Sequence, residues 1–275
     1  MVTFLQQAAK NTAAWMGRES FLIRSARPVY ESLLDAMTAG RGVPAEVNGA
    51  EYLVDPHERY RFPTEYDAPV ARLLQKRVAP GAVCFDVGAN AGIYVLQLAH
   101  WSRPGGQVIA FEPNPEARRI LARHIELNRI ADRATIVPCA VGRETGRAAF
   151  FASGADGMSR LGEPNQALNG QTNTLPVDVT TIDDYCESSG KQPDVLLIDI
   201  EGFELAALAG AARTIRKRGK DLLIVVEMHP GVWASAGDDR ESAMRLLDEL
   251  RLRPVPLTGQ ADPFAEYGQV LLEHR

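Results

Sequence analysis

The chain has 275 residues, of which 45% are hydrophobic and 24% are charged. This composition suits one large soluble domain, or one domain with an appended segment. The 30 Lys and Arg residues are outnumbered by 35 Asp and Glu residues, which gives a net charge of -5. Because nucleic-acid binders need a basic surface to displace phosphate counterions, we expect no nucleic-acid partner.

The three cysteines show no regular spacing, which argues against a disulfide framework and against a four-thiolate metal site. Cys84 and Cys139 fall in apolar runs, and we therefore expect them to be buried, unreactive thiols.

Polar residues such as Lys10 interrupt the apolar residues at the start of the chain, so this segment does not resemble a signal peptide. No stretch approaches the length of a membrane span, and the default expectation is a cytoplasmic protein.

Residues 1–79 are predicted to form an accessory segment of helices and a β-hairpin. One helix is expected to have Pro28 in its first turn, where proline is tolerated. Asn48-Gly49 lies between two short apolar-polar runs and predicts a hairpin over residues 43–54. A further helix is expected over residues 67–78.

Residues 80–275 alternate between apolar strand-like runs and amphipathic helices. This order predicts a doubly wound α/β domain with a mostly parallel sheet. A single helix is expected from about Leu205 to Gly219. A long loop is expected over Gly154–Asn173, and we expect it to cover the bound substrate. The predicted strands are 82–87, 107–111, 135–139, 147–152, 175–180, 194–199, 222–227, 255–257 and 269–272.

The turn after the first core strand is rich in glycine, and parallel sheets bind ligands at this edge. Its pattern is G-x-N-x-G, which differs from the G-x-G-x-x-G pattern of dinucleotide-binding turns. Asp86, which ends the strand, would repel a pyrophosphate but attract the ammonium group of a methionine-like ligand, directly or through water. We expect the glycines to let the backbone pass close to that ligand. The candidate cofactor-binding residues here are Asp86, Gly88, Ala89, Asn90 and Gly92.

Glu112 ends the second core strand, 20 residues after Gly92. An acid at this position can accept hydrogen bonds from both ribose hydroxyls of an adenosine-type ligand. The alternative is an exposed acid that stabilises the dipole of the next helix. Pro113 and Asn114, and Ala140 after the third strand, complete the candidate cofactor site.

Two further strand ends bear the patterns D-x-E-G-x-E and E-x-H-P. The candidate catalytic residues there are Asp199, Glu201, Glu227 and His229, and Asp199 is also a candidate for cofactor contact. If the two strands are neighbours, Asp199 and Glu227 would face one another across about 4.8 Å. The group could bind a divalent metal, hold substrate hydroxyls, or provide His229 as a general base. Glu204 is expected to face solvent in the first turn of its helix.

Five segments together resemble the FkbM family of methyltransferases. They are FDVGANAGIY, IAFEPNPEARRIL with HIELN behind it, CAVG, LLIDIEGFELAALAGA and IVVEMHP. The resemblance implies a class I S-adenosylmethionine-dependent fold, with a seven-stranded sheet whose last strand is antiparallel. It implies methyl transfer to an oxygen of a small molecule such as a sugar or a polyketide. It also assigns Asp86, Gly88, Asn90 and Gly92 to the cofactor loop, Glu112 to the ribose, and Asp199, Glu201 and Gly202 to the fourth strand end.

The sequence therefore predicts an S-adenosylmethionine-dependent O-methyltransferase that acts on a small-molecule hydroxyl. A requirement for a divalent metal and the oligomeric state do not follow from the sequence. Glu65 and Tyr66 are weaker candidates for cofactor contact. The alternatives are an NAD(P)-dependent oxidoreductase, a non-catalytic S-adenosylmethionine or nucleoside sensor, and, less favoured, an RNA methyltransferase.

Overall fold

The computed structural model describes residues 21–152, 160–161 and 173–275. Its centre is a seven-stranded sheet in the spatial order β12-β13-β11-β10-β3-β4-β5. The strands of this sheet are β3 (Val83–Val87), β4 (Gln107–Phe111), β5 (Ala134–Val137), β10 (Val195–Ile198), β11 (Leu223–Met228), β12 (Leu252–Pro256) and β13 (Gly268–His274).

Five neighbouring strands of the sheet run parallel, from β11 through β10, β3 and β4 to β5. The last strand, β13, is antiparallel to both β11 and β12. All four residues of β10 are buried, as expected of a strand covered on both faces. The predicted doubly wound, mostly parallel sheet with an antiparallel last strand is confirmed.

Successive side chains of the strands enter two different hydrophobic clusters, one on each face. On β3, Cys84 belongs to one cluster and Phe85 to the other. The first face is covered by α2 (Ala68–Arg77), α3 (Ile93–Trp101) and α4 (Pro115–Leu127). The second is covered by α5 (Ile182–Ser189), α6 (Glu204–Ala209), α7 (Ala212–Arg218) and α8 (Arg240–Glu249). The result is a three-layer sandwich with both faces of the sheet buried.

The predicted hairpin is present as β1 (Val43–Val47) and β2 (Ala50–Val54), with Asn48 and Gly49 at positive φ in the turn. Asn128 joins the hairpin to the end of α4, because its side chain accepts from the Leu53 amide at 3.0 Å and donates to the Leu53 carbonyl at 2.7 Å. The hairpin therefore packs on the first face of the sheet.

The first described helix, α1 (Phe21–Thr38), contains Pro28 in its interior. The prediction that Pro28 lies in the first turn is wrong, because the helix begins seven residues earlier than the apolar spacing indicated. None of the helices in the described ranges is long and apolar enough to cross a membrane.

The single helix predicted from Leu205 to Gly219 is wrong, since the structure has α6 and α7 with a break at Gly210 and Ala211. A Cβ on Gly210 would lie 2.1 Å from the Gly142 carbonyl oxygen, so the main chain of another segment presses against this point. Cys84 is buried as predicted, whereas Cys139 is partly exposed because β5 ends at Val137.

A second, four-stranded sheet flanks the main one in the order β6-β9-β7-β8. Its strands are β6 (Ala140–Val141), β7 (Gly146–Ala152), β8 (Arg160–Leu161) and β9 (Asn173–Thr180). The pairing of β8 with β7 was not predicted. Of the predicted loop over Gly154–Asn173, residues 154–159 and 162–172 lie outside the described residues, and Asn173 begins β9.

Candidate active site

A cavity of about 400 Å³ lies at the carboxyl ends of β3, β4, β10 and β11. Because these four strands are parallel and three consecutive pairs of them are hydrogen-bonded neighbours, the residues that follow them meet at one edge. The lining residues predicted from sequence are Asp86, Gly88, Ala89, Asn90, Glu112, Pro113, Asn114, Asp199, Glu201, Glu227 and His229, with Tyr66 from the accessory segment.

The turn after β3 is shaped by contacts inside the protein. Gly88 has a φ of 90°, and a Cβ there would lie 1.9 Å from the carbonyl oxygen of Asp199. Gly92 has a φ of 91°, and its Cβ would lie 2.5 Å from the side chain of Leu121. The expectation that the backbone at these glycines passes close to a ligand stays a prediction, and the structure adds that the Asp199 carbonyl after β10 and Leu121 of α4 leave no room for a side chain at either position. Asn90, at a φ of 46°, turns the chain between them.

Asp86 is 2% exposed, and its Oδ2 atom has no hydrogen-bond partner among the described residues. Burial, and then the negative charge of Glu112, raise the pKa of Asp86 to about 7. A buried acceptor without a donor is costly in a protein interior, and at the wall of a cavity a water molecule or a ligand can supply the missing donor. It suits a ligand that brings a positive charge and N–H donors.

Glu112 is buried and links the turn after β3 to the start of α4. Its Oε2 atom accepts from the backbone N–H of Asn90, and its Oε1 atom accepts from the backbone N–H of Asn114, both at 2.8 Å. Burial raises the pKa of Glu112 to about 7, although these two amides favour the ionised form. Each oxygen keeps a further lone pair that can accept a hydroxyl hydrogen. Asn114 caps α4 as predicted, because its side chain accepts from the Glu116 amide at 3.0 Å.

A smaller cavity of about 40 Å³ adjoins the first and shares Gly88 and Pro113 with it. It contains Ala140, the predicted cofactor residue after β5, together with mostly apolar side chains such as Phe111 and Phe203. The structure thus places a polar cavity beside an apolar one, with the β3 and β4 turns between them.

At the other end of the large cavity, Asp199, Glu227 and His229 each present a ligand atom within 4.8 Å of the others. The predicted juxtaposition of Asp199 and Glu227 is confirmed, because β10 and β11 are parallel neighbours. Burial and the Glu227 carboxylate raise the pKa of Asp199 well above its ordinary value. Two oxygens and one imidazole nitrogen at this spacing can hold a divalent cation, or can hold and deprotonate a hydroxyl group.

Glu204 is fully buried beside His229, and the prediction that it faces solvent is wrong. Its Oε1 atom lies 2.5 Å from Nδ1 of His229, and its Oε2 atom accepts from the Trp233 indole N–H at 2.9 Å. Trp233 lies in a 3₁₀ turn, Pro230–Ala236, that follows β11 and covers the start of α6. Because this turn covers Glu204, an acid in the first turn of a helix is buried in the core.

Two cavity residues come from segments that are distant in the sequence. Tyr267, just before β13, donates its hydroxyl hydrogen to Glu227, and its ring lies 5.1 Å from the His229 ring. Tyr94 on α3 also lines the cavity and donates to Asp67 at 3.0 Å. Sequence reasoning assigned neither residue to the site, although Tyr94 belongs to the quoted segment FDVGANAGIY. Glu65, a weak candidate from sequence, is exposed and does not line the cavity.

Comparison with known proteins points to one family. The family model for the methyltransferase FkbM domain matches residues 86–252, which includes every strand end of the cavity. The hexuronic acid methyltransferase AglP of Haloferax volcanii is 27% identical over 190 residues, 66% of this chain and 68% of that protein.

Two further similarities are shorter or structural. The 31-O-demethyl-FK506 methyltransferase FkbM of Streptomyces tacrolimicus is 45% identical over 67 residues, 24% of this chain and 25% of that protein. The crystal structure of methyltransferase FkbM from Methylobacillus flagellatus is 20% identical, with a TM-score of 0.48. That alignment covers 71% of this chain and 44% of the other, so the chain spans less than half of its length.

The family match covers more than half of the chain, and the seven-stranded sheet has the class I methyltransferase order. The chain belongs to the FkbM family of S-adenosylmethionine-dependent methyltransferases.

Proposed function

We propose that the protein transfers the methyl group of S-adenosylmethionine to a hydroxyl oxygen of a small polyhydroxylated molecule, such as a sugar or a polyketide. The proposal is supported by the two named relatives, one a hexuronic acid methyltransferase and the other a 31-O-demethyl-FK506 methyltransferase. The observation that carries it is the composition of the cavity. It contains buried acceptors without a hydrogen-bond donor, and it also contains the group formed by Asp199, Glu227 and His229.

The described residues at the β3 and β4 ends fit S-adenosylmethionine. Within the part of the chain that the structure describes, Asp86 Oδ2 and Asn90 Oδ1 are buried acceptors without a donor. In our proposal Asp86 receives the ammonium group, directly or through water, and Glu112 receives both ribose hydroxyls. The adjoining apolar cavity with Ala140 would take the adenine ring. Ala89, Pro113 and Asn114, which line the cavity, would hold these groups in position, and Gly92 would support the turn that leads into α3.

When bound, S-adenosylmethionine supplies a methyl group on a positively charged sulfur, which is an electrophile for a hydroxyl oxygen. The protein's main contribution would be to hold the acceptor oxygen in line with that group, since positioning accounts for much of the barrier reduction in such transfers. Asp199, Glu201 and Glu227 would hold the acceptor's hydroxyls. Tyr66 and Tyr267 would close the walls around it.

We propose His229 as the general base for the acceptor hydroxyl. Its ring lies at the cavity wall and is 12% exposed, and Nδ1 is engaged by Glu204. A divalent cation on Asp199, Glu227 and His229 is the second candidate role for these residues, and their spacing favours it. We prefer the base, because Glu227 Oε1 already accepts from Tyr267 and from Gln269 at 3.4 Å.

The function is tested by incubating the protein with S-adenosylmethionine labelled in the methyl group and a panel of hydroxyl compounds. The panel contains neutral sugars, uronic acids and macrocyclic polyketides, with amines and RNA oligonucleotides as the contrasting classes. We expect label in an ether linkage on one of the hydroxyl compounds. Label found only on nitrogen or on RNA would contradict the proposal.

A further inference from the structure

Glu204 is an ionisable side chain in the core that the proposed transfer does not itself use. It has no exposed surface, and three polar groups surround its two oxygens. These groups are the Gly202 amide at 2.9 Å, the Trp233 indole N–H at 2.9 Å and the His229 ring at 2.5 Å. The Gly202 amide and the Trp233 indole can only donate, which favours the ionised carboxylate, whereas burial raises the pKa of Glu204. The His229 ring can donate or accept, according to its tautomer.

The hydrogen bond between Glu204 and Nδ1 links the charge of Glu204 to the tautomer of His229. An ionised Glu204 can only accept, so that Nδ1 of His229 donates, and in the neutral ring the second nitrogen is then a bare acceptor. That second nitrogen, Nε2, is the one that Glu204 does not hold, and the ring lies at the cavity wall beside Asp199 and Glu227. The ring is also fixed from the side by Tyr267.

We propose that Glu204 is an ionised positioning residue that orients His229 and holds the hydrogen of its neutral ring on Nδ1, so that Nε2 is free to accept the acceptor's hydroxyl proton. This inference rests on the proposed function. It extends the proposed site by a buried carboxylate–histidine pair. In this pair the Glu204 carboxylate does not touch the substrate and acts through the His229 ring.

The step balances with the groups that the reaction supplies. The acceptor oxygen forms a bond to the methyl carbon while the carbon–sulfur bond breaks, and sulfur retains that electron pair. The hydroxyl proton passes to Nε2, and His229 becomes an imidazolium. Glu204 then faces a positively charged ring through Nδ1, which stabilises the charge that forms during the transfer.

The charges around His229 increase the basicity of its ring. Burial alone would lower the pKa of His229, but the hydrogen bond and charge of Glu204, followed by Glu227 and Glu201, raise it. Asp199 and the ring of Tyr267 also lie beside the His229 ring. Removing the Glu204 charge must therefore lower the pKa of His229, and its protonation must move to lower pH.

The tautomer can be measured without knowing the acceptor. Nitrogen-15 NMR of the full chain, saturated with S-adenosylhomocysteine, distinguishes a protonated Nδ1 from a protonated Nε2, and His229→Asn assigns the signal among the five histidines. We expect the Nδ1–H form in the neutral ring. A neutral ring with the hydrogen on Nε2 would overturn the inference, and this result needs no variant of Glu204.

The variant Glu204→Gln tests the cause. It keeps the shape of the side chain but removes its charge and one acceptor oxygen. We expect a mixture of His229 tautomers, protonation of the ring at lower pH, and a fall in kcat of roughly 100-fold, within the range of general-base effects. Asp238→Asn is the matched control. It removes another buried carboxylate, which lies 3.1 Å from the guanidinium of Arg143 and does not line the cavity. This variant should leave the tautomer unchanged.

The possible outcomes separate this inference from the proposed function. If Glu204→Gln binds S-adenosylhomocysteine normally and its His229 signal is unaltered, the positioning role is wrong while the transfer reaction stands. If Mn²⁺ added alone selectively broadens the His229 signal, the ring is a metal ligand and the base role is wrong. If the wild-type protein methylates no hydroxyl compound, the proposed function itself fails.

Discussion

The variant Glu112→Gln is expected to bind S-adenosylhomocysteine about 100-fold more weakly than the wild-type protein. Two hydrogen bonds to a charged carboxylate are worth roughly 1.5–3 kcal/mol each, and about 1.4 kcal/mol corresponds to each tenfold change in affinity. The variant also loses an acceptor for one of the amides of Asn90 and Asn114, so the two turns at the cavity lose their common anchor. Isothermal titration calorimetry measures the change directly.

The matched control for Glu112 is Glu116→Gln, which removes an exposed acid from the first turn of the same helix. It should bind S-adenosylhomocysteine as the wild type does. A thermal melt of each variant verifies folding. A folded Glu112→Gln protein with undiminished affinity would show that the ribose does not lie against this carboxylate.

Replacement of His229 by asparagine is expected to lower kcat by roughly 10²- to 10⁴-fold, the contribution usual for a general base. Affinity for S-adenosylhomocysteine should stay unchanged, because the residues proposed to bind the methyl donor lie at the ends of β3 and β4, whereas His229 follows β11. Single-turnover methyl transfer to the acceptor found in the hydroxyl panel gives the rate.

The control for His229 is His57→Asn, whose ring is 46% exposed and does not line the cavity. In the wild type, kcat/KM should rise with pH as His229 loses its proton, and this rise should vanish in His229→Asn. A variant with the wild-type rate and an unchanged pH profile would place the base elsewhere.

The strand-end carboxylates could be predicted from the sequence because one topological rule determines their position. Parallel strands end at the same edge, so Asp86, Glu112, Asp199 and Glu227 had to meet there once the alternation of strands and helices was recognised. The hairpin could be predicted equally well, because Asn-Gly between two short apolar runs, as at Asn48-Gly49, is typical of a two-residue hairpin turn.

Glu204 could not be placed from sequence because its environment depends on a distant turn. An acid in the first turn of a helix ordinarily faces solvent and stabilises the dipole. Here the 3₁₀ turn after β11 brings Trp233 and His229 over it, and no periodicity predicts that turn. Tyr267 was missed for the same reason, because only the antiparallel pairing of β13 with β11 brings it to Glu227.

The predicted reasons for the glycines were also incomplete. The sequence pattern indicated that Gly88 and Gly92 make space for a ligand. The structure shows that a side chain at Gly88 would collide with the Asp199 carbonyl, and one at Gly92 with Leu121. Likewise a side chain at Gly210, where the helix breaks, would collide with the Gly142 carbonyl, which belongs to a segment far away in the chain.

The central claim is that the donor lies in the turn after β3, with its ammonium group at Asp86 and its ribose on Glu112. A crystal structure of the full chain with S-adenosylhomocysteine tests this most directly. We predict the amino group within hydrogen-bond distance of Asp86 Oδ2, or one water away, and both ribose hydroxyls on Glu112. A complex in which the ribose contacts neither oxygen of Glu112 would contradict the account.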